Sequence, residues 1–124
     1  MSLFSKLFAK QEDAYSDFNW FPLLELSQLG EILEASKNKT QVIFKHSTRC
    51  GVSRGVIKQF EKQTISENTD FYFLDLIAFR EISNTIAQKF GVQHQSPQLI
   101  VIKNKKAIAN ASHHSILDMD LNNI

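Results

Sequence analysis

A single cysteine, Cys50, occurs among the 124 residues, which excludes an internal disulfide and a structural zinc site assembled from several cysteines. A thiol left alone points to a reducing compartment, so a cytoplasmic location is expected. No apolar run approaches membrane-spanning length, and Met1 to Lys10 lacks the long apolar stretch and small-residue cleavage site of a signal peptide. Neither charge sign is in surplus: 14 basic and 13 acidic residues leave a net charge of +1, which gives no electrostatic case for nucleic acid or an anionic membrane. Prolines number two and glycines four, and no internal repeat or low-complexity segment interrupts the chain.

What is present suits one domain, because 43% hydrophobic residues over this length can build a core without staples. Residues 1–19 read as an N-terminal extension, in which Leu3, Phe4, Leu7 and Phe8 fall at helical spacing, and residues 20–124 as the domain. Trp20-Phe21-Pro22-Leu23 reads as an extended segment pinned to the core. Leu26, Leu29, Ile32 and Leu33 then predict a helix over Leu23 to Lys37, and Gln41 to Lys45 a buried strand. Val52, Val56, Ile57 and Phe60 predict a second helix running from Cys50 to about Gln63. Phe71 to Leu76 reads as a strand, and Arg80 to Phe90 as a helix closed by Gly91 in the left-handed conformation. Gln98 to Ile102 and Ala107 to Ala109 form a terminal hairpin about Asn104-Lys105, and Ser112 caps a last helix through Leu121. Strands alternating with helices and ending in a hairpin imply an α/β fold of thioredoxin-like layout. Its central mixed sheet is expected to have four strands, helices on both faces and an extra N-terminal helix.

Chemistry concentrates at Ser47-Thr48-Arg49-Cys50-Gly51. Thiol exchange needs a thiolate, and the first turn of a helix offers unpaired N–H groups and partial positive charge to a cysteine placed there. Arg49 precedes Cys50 and Arg54 lies one turn on, so both bring cations toward the sulfur. Ser53 stands where a C-x-x-C motif would carry its second cysteine, so a mixed disulfide on Cys50 must be resolved by an outside thiol. The Ser53 hydroxyl is placed to donate a hydrogen bond to the thiolate. The residues expected to support the thiolate are His46, Arg49, Gly51, Val52, Ser53 and Arg54. His46, at the end of a strand, reads as a packed, hydrogen-bonded histidine before it reads as a general base. Adjacent histidines point apart and bring no third ligand, so His113-His114 reads as surface rather than metal site. Asp75 reads as a turn cap.

Lys45-His-Ser-Thr-Arg-Cys-Gly-Val-Ser-Arg54, followed by Ser96-Pro97-Gln98, resembles the YtxJ-like family of monothiol bacilliredoxins from about Trp20 onward. The family often has proline or serine where this chain has Gly51. The resemblance implies a thiol–disulfide oxidoreductase that removes bacillithiol or a similar small thiol from proteins through Cys50. It implies no bound cofactor, a low-molecular-weight thiol as co-substrate, and thiolated proteins and small thiols as partners. The sequence does not fix the oligomeric state, and a monomer is favoured. The resemblance also implies that Pro97 is cis and forms, with the backbone of Ser96, the substrate-binding wall beside the cysteine. Two other functions compete. Cys50-Gly-Val-Ser-Arg54 is similar to the C-G-T-S-R segment of glutaredoxin-linked arsenate reductases, but Arg49, Arg54 and Arg80 are the only arginines, and oxyanion chemistry needs a cluster of positive donors. The other competitor is a redox sensor or binding module whose Cys50 accepts a modification without turnover.

Overall fold

A computed structural model describes residues 18–63 and 67–124. The expected helical spacing at Leu3 to Phe8 lies outside the described residues. Ten elements follow in order: β1 (Trp20–Pro22), α1 (Ser27–Ala35), β2 (Thr40–His46), α2 (Gly51–Phe60), β3 (Thr69–Asp75), α3 (Arg80–Phe90), β4 (Gln98–Lys103), β5 (Lys106–Ser112), and 3-10 turns at His113–Asp118 and Leu121–Asn123.

The five strands form one sheet in the order β1-β3-β2-β4-β5, parallel from β1 through β2 and antiparallel at β4 and β5. The four expected strands are β2 to β5. A fifth, β1, joins the edge because Trp20, Phe21 and Pro22 pair with Phe71, Tyr72 and Phe73, and proline is tolerated at an edge where its missing donor is not needed.

Alternation along the buried strands sends residues to opposite faces. On one face Val42, Phe44, Leu99 and Val101 meet Val56, Ile57 and Phe60 of α2 and Ile116 and Leu121 of the 3-10 turns. This layer is aromatic, with the Trp20 ring 5.7 Å from Phe44 and 6.0 Å from Phe60. On the other face Ile43, Ile100 and Ile102 meet Leu29 and Ile32 of α1 and Ile82 and Ile86 of α3. The helices therefore cover both faces, and β2, flanked by β3 and β4, is buried from Gln41 to His46.

The first two helices end slightly earlier than expected, α1 at Ala35 rather than Lys37 and α2 at Phe60 rather than about Gln63, and two departures are larger. The first helix starts at Ser27 rather than Leu23, because Leu23 N–H donates to Phe73 O at 2.9 Å and continues the edge pairing. Gln28 then fixes the connection, its Oε1 accepting from Leu24 and Glu25 N–H and its Nε2 donating to Pro22 O. The C-terminal helix expected through Leu121 is replaced by the two 3-10 turns, and Ser112 makes no cap hydrogen bond. Ser112 is still paired with Gln98 in β5, and His113, at φ 57°, turns the chain so that its N–H donates to Pro97 O at 2.9 Å. Among the described residues no helix is long and apolar enough to cross a membrane.

Candidate active site at the end of the central strand

The register of the sheet places the site. His46, the last residue of β2, is aligned with Asp75 of β3, and Lys45 is aligned with Gln98 of β4. Pro97, one residue before Gln98, thus comes opposite His46. From this end the chain turns through Ser47-Thr48-Arg49, closed by Cys50 N–H donating to Ser47 O at 3.2 Å, and enters α2.

Cys50 is the N-cap of α2, extended at φ −100° and ψ 120°, and its carbonyl accepts the first helical hydrogen bond from Arg54 N–H at 3.1 Å. A serine or aspartate here would turn its side chain onto the first-turn N–H groups, but the Cys50 side chain makes no such bond. Gly51, Val52 and Ser53 thus bring first-turn N–H groups with partial positive charge to the end of the helix that carries the thiol. The cysteine is half-buried, while Gly51 and Val52 are exposed.

The two residues that follow tie the turn to the helix. Ser53 is fully buried; its Oγ accepts from Ser47 N–H at 3.1 Å and shares a 2.7 Å hydrogen bond with His46 Nδ1. This corrects the expectation that the Ser53 hydroxyl donates to the Cys50 thiolate: at the third helical position its side chain faces inward to the end of β2. Arg54 folds back over the turn, with Nη1 donating to Thr48 O at 3.0 Å. A Cβ built on Gly51 would lie 3.8 Å from Arg54 Nη2, so the guanidinium rests above the residue next to Cys50. Arg49 is exposed.

His46 is fully buried, its ring 5.3 Å from that of Phe73. Burial, with the Arg54 charge adding to it, pushes the imidazole down to about 4, so His46 is neutral at physiological pH. A buried neutral imidazole that shares its Nδ1 with Ser53 fits the packed role. Asp75 is the turn cap: its Oδ1 accepts from Ile77 and Ala78 N–H.

The Ser96–Pro97 bond is cis, the isomer the resemblance implies. Pro97 is buried, and the Ser96 hydroxyl is shielded from solvent with no hydrogen-bond partner among the described residues. His113 and His114 are both exposed, and the described residues hold no group of three or more side chains arranged for a metal ion. An open cleft of about 370 Å³ between Leu24 to Leu26 and Ala78 to Ile82 contains none of the cysteine segment.

Sequence reasoning missed a polar cluster on the α1/α3 face of the sheet. Lys45 is fully buried, with Nζ 3.1 Å from Ser83 O and 3.4 Å from His94 Nδ1. Burial first, and the Arg80 charge second, lower the Lys45 ammonium to about 8. Gln98, also buried, donates from Nε2 to Gln93 O at 2.8 Å. The available signal was polar residues at alternate positions of the central strands, Gln41 and Lys45 with Ile43 between them.

Comparison with known proteins fits this geometry. Residues 22–121 match the family model described as Monothiol bacilliredoxin BrxC. A solved protein with a thioredoxin fold is 31% identical, with a TM-score of 0.68 over 77% of this chain and 84% of its own. Thioredoxin from Malassezia sympodialis is 21% identical, with a TM-score of 0.64 over 82% of this chain and 87% of its own. Mitochondrial thioredoxin 3 from Saccharomyces cerevisiae is 17% identical, with a TM-score of 0.63 over 90% and 99%. The last two speak for the fold alone, which is thioredoxin-like.

Proposed function

The chain belongs to the monothiol bacilliredoxin family and is a thiol–disulfide oxidoreductase, and from that premise we propose that Cys50 takes bacillithiol or a similar small thiol from protein mixed disulfides. The Cys50 thiolate attacks the small-thiol sulfur of a protein–S–S–R disulfide. The protein leaves as its thiolate and Cys50 keeps R as a mixed disulfide. A second small thiolate, RS⁻, then attacks the R-bearing sulfur of the Cys50–S–S–R disulfide, releasing R–S–S–R and returning Cys50 as the thiolate. Both steps exchange one S–S bond for another, so no electrons are gained or lost beyond those the small thiol supplies.

The observation that carries this reading is the single half-buried sulfur at the start of α2, in a chain with no second thiol to resolve it. Arg54 over Gly51 and exposed Arg49 add positive charge for the thiolate and for an anionic small thiol. Ser96 supports the wall opposite: no backbone hydrogen bond of its N–H or C=O occurs among the described residues, leaving both for an extended substrate strand. The cytoplasm, where small thiols are abundant and reduced, is the compartment that suits the cycle, and a monomer suffices for it.

The test is transfer. Reduced protein is incubated with a bacillithiol mixed disulfide of a model protein and quenched with acid. Mass spectrometry is expected to find the small thiol on Cys50 and the substrate freed, and Cys50→Ser to leave the substrate modified. Retention of the small thiol on the substrate in the presence of wild type would sink the proposal.

A further inference from the structure

Lys45 is an anomaly for any fold: a fully buried ammonium whose described partners include no carboxylate. Burying a cation without a counter-ion costs stability, so it persists only where its donors are used. Its donors bind the α3 backbone at Ser83 O and the loop imidazole at His94 Nδ1. An ammonium can only donate, so His94 Nδ1 is the acceptor and the imidazole is neutral with its proton on Nε2. Ser83 Oγ lies 3.3 Å from the same Nδ1, and Gln98, the residue paired with Lys45, holds Gln93 O. Three elements thus hold Gln93 and His94, two to three residues before the cis Ser96–Pro97 bond.

We propose that Lys45 is a positioning residue for the substrate wall: its buried ammonium clamps the segment leading to Ser96–Pro97 onto β2 and α3 and fixes His94 as the Nε2–H tautomer. The wall then meets an incoming mixed disulfide ready-formed, and the ordering of the loop is complete before binding. This rests on the reading of Ser96 and Pro97 as the substrate-facing wall. The titratable groups at the cluster are Lys45 from β2, His94 from the loop and Arg80 from α3. His94 is held below the usual imidazole range by burial, then by Lys45 and Arg80.

Lys45→Met keeps the length and apolar stem and removes the charge, and His94→Ala removes the acceptor at a half-buried position outside the core. Histidine ring nitrogen shifts, followed by NMR against pH, are expected to show the Nε2–H tautomer of His94 in wild type. In Lys45→Met they are expected to show a mixture of tautomers and a higher titration midpoint. Turnover of a mixed-disulfide peptide is expected to show KM raised about fivefold or more in each variant, no further rise in the double variant, and kcat within about twofold. Alkylation of Cys50 by iodoacetamide is expected to keep its wild-type rate, which separates loosening of the wall from damage to the thiol. An unchanged His94 titration in Lys45→Met overturns the clamp, and an unchanged KM in His94→Ala overturns its role in binding. Should Lys45→Met not fold, His94→Ala and the wild-type tautomer decide the matter alone. If wild type turns over no mixed disulfide, the functional reading fails, and the clamp stands or falls on the NMR arm.

Discussion

Ser53 spends its hydroxyl inside the protein, on Ser47 N–H and His46 Nδ1, and so joins the end of β2 to the first turn of α2. Removing it takes from two buried polar groups the hydrogen bonds that this hydroxyl supplies. Ser53→Ala is therefore expected to cost about 1–3 kcal/mol, measured by urea unfolding followed through the single tryptophan. A residue that merely fills the position of a lost cysteine would cost far less. His46 gives the same corner a pH signature. Its folded value near 4 lies below the ordinary 6.5, so between these values the unfolded chain binds more protons. Its contribution is fully present above pH 6.5 and is lost as pH falls toward 4. Because other groups titrate in the same range, the readout is the difference: the urea midpoint of wild type relative to His46→Gln should fall as pH is lowered from 6.5 toward 4.

Among the elements, α2 begins next to the cysteine of the proposed reaction and has a spare degree of freedom at its first residue. Gly51 follows Cys50, whose φ −100° and ψ 120° are the extended values that a following proline imposes, and a Cβ at 51 meets nothing closer than 3.8 Å. Proline is favoured at the first helical position, where the N–H has no helical partner. Gly51→Pro is expected to stabilise the protein by about 0.5–1 kcal/mol, mostly by restricting the unfolded chain, and thermal unfolding checks the sign. The elements differ in how plainly they could be read beforehand. α3 spans Arg80–Phe90 and ends at Gly91 with φ 63°, because its apolar stripe and its left-handed cap are both local signals. The hairpin turn was equally local, with Asn104 and Lys105 both at positive φ. The start of α1 and the C-terminal turns were not legible, since long-range bonds from Leu23 to β3 and from His113 to Pro97 decide them. The cysteine, its helix start and the Ser-Pro strand entry were visible in the motif, whereas the inward orientation of Ser53 and the burial of Lys45 required the sheet.

Taken as a molecule, the protein places an aromatic layer under α2 and an aliphatic layer under α1 and α3, with the thiol at one end of the strand between them. Trp20 ties the edge strand to α2 through its Nε1, which donates to Glu61 Oε2 at 2.6 Å. Burial raises Glu61 to about 7, the Trp20 bond and the Lys58 charge opposing it. A raised folded value stabilises below pH 4.5, and that contribution is lost as pH rises through 7, opposite in sign to His46. Glu61→Gln keeps the acceptor without the charge, so it is expected to be more stable than wild type at pH 8, with the difference vanishing below pH 4.5. Equal stability at pH 8 would show that the carboxylate is not penalised there.

The proposed function turns on one half-buried cysteine at a helix start, and the reactivity of its sulfur in the folded state is the direct measure. Iodoacetamide is added to native and urea-unfolded protein at neutral pH, and the loss of free thiol is timed. Cys50 is expected to react faster in the native protein than in the unfolded chain, because the start of α2 and the Arg54 side chain are assembled at the cysteine segment only when the chain is folded. A native thiol that stays unmodified until the protein is unfolded would contradict an exchange site at Cys50.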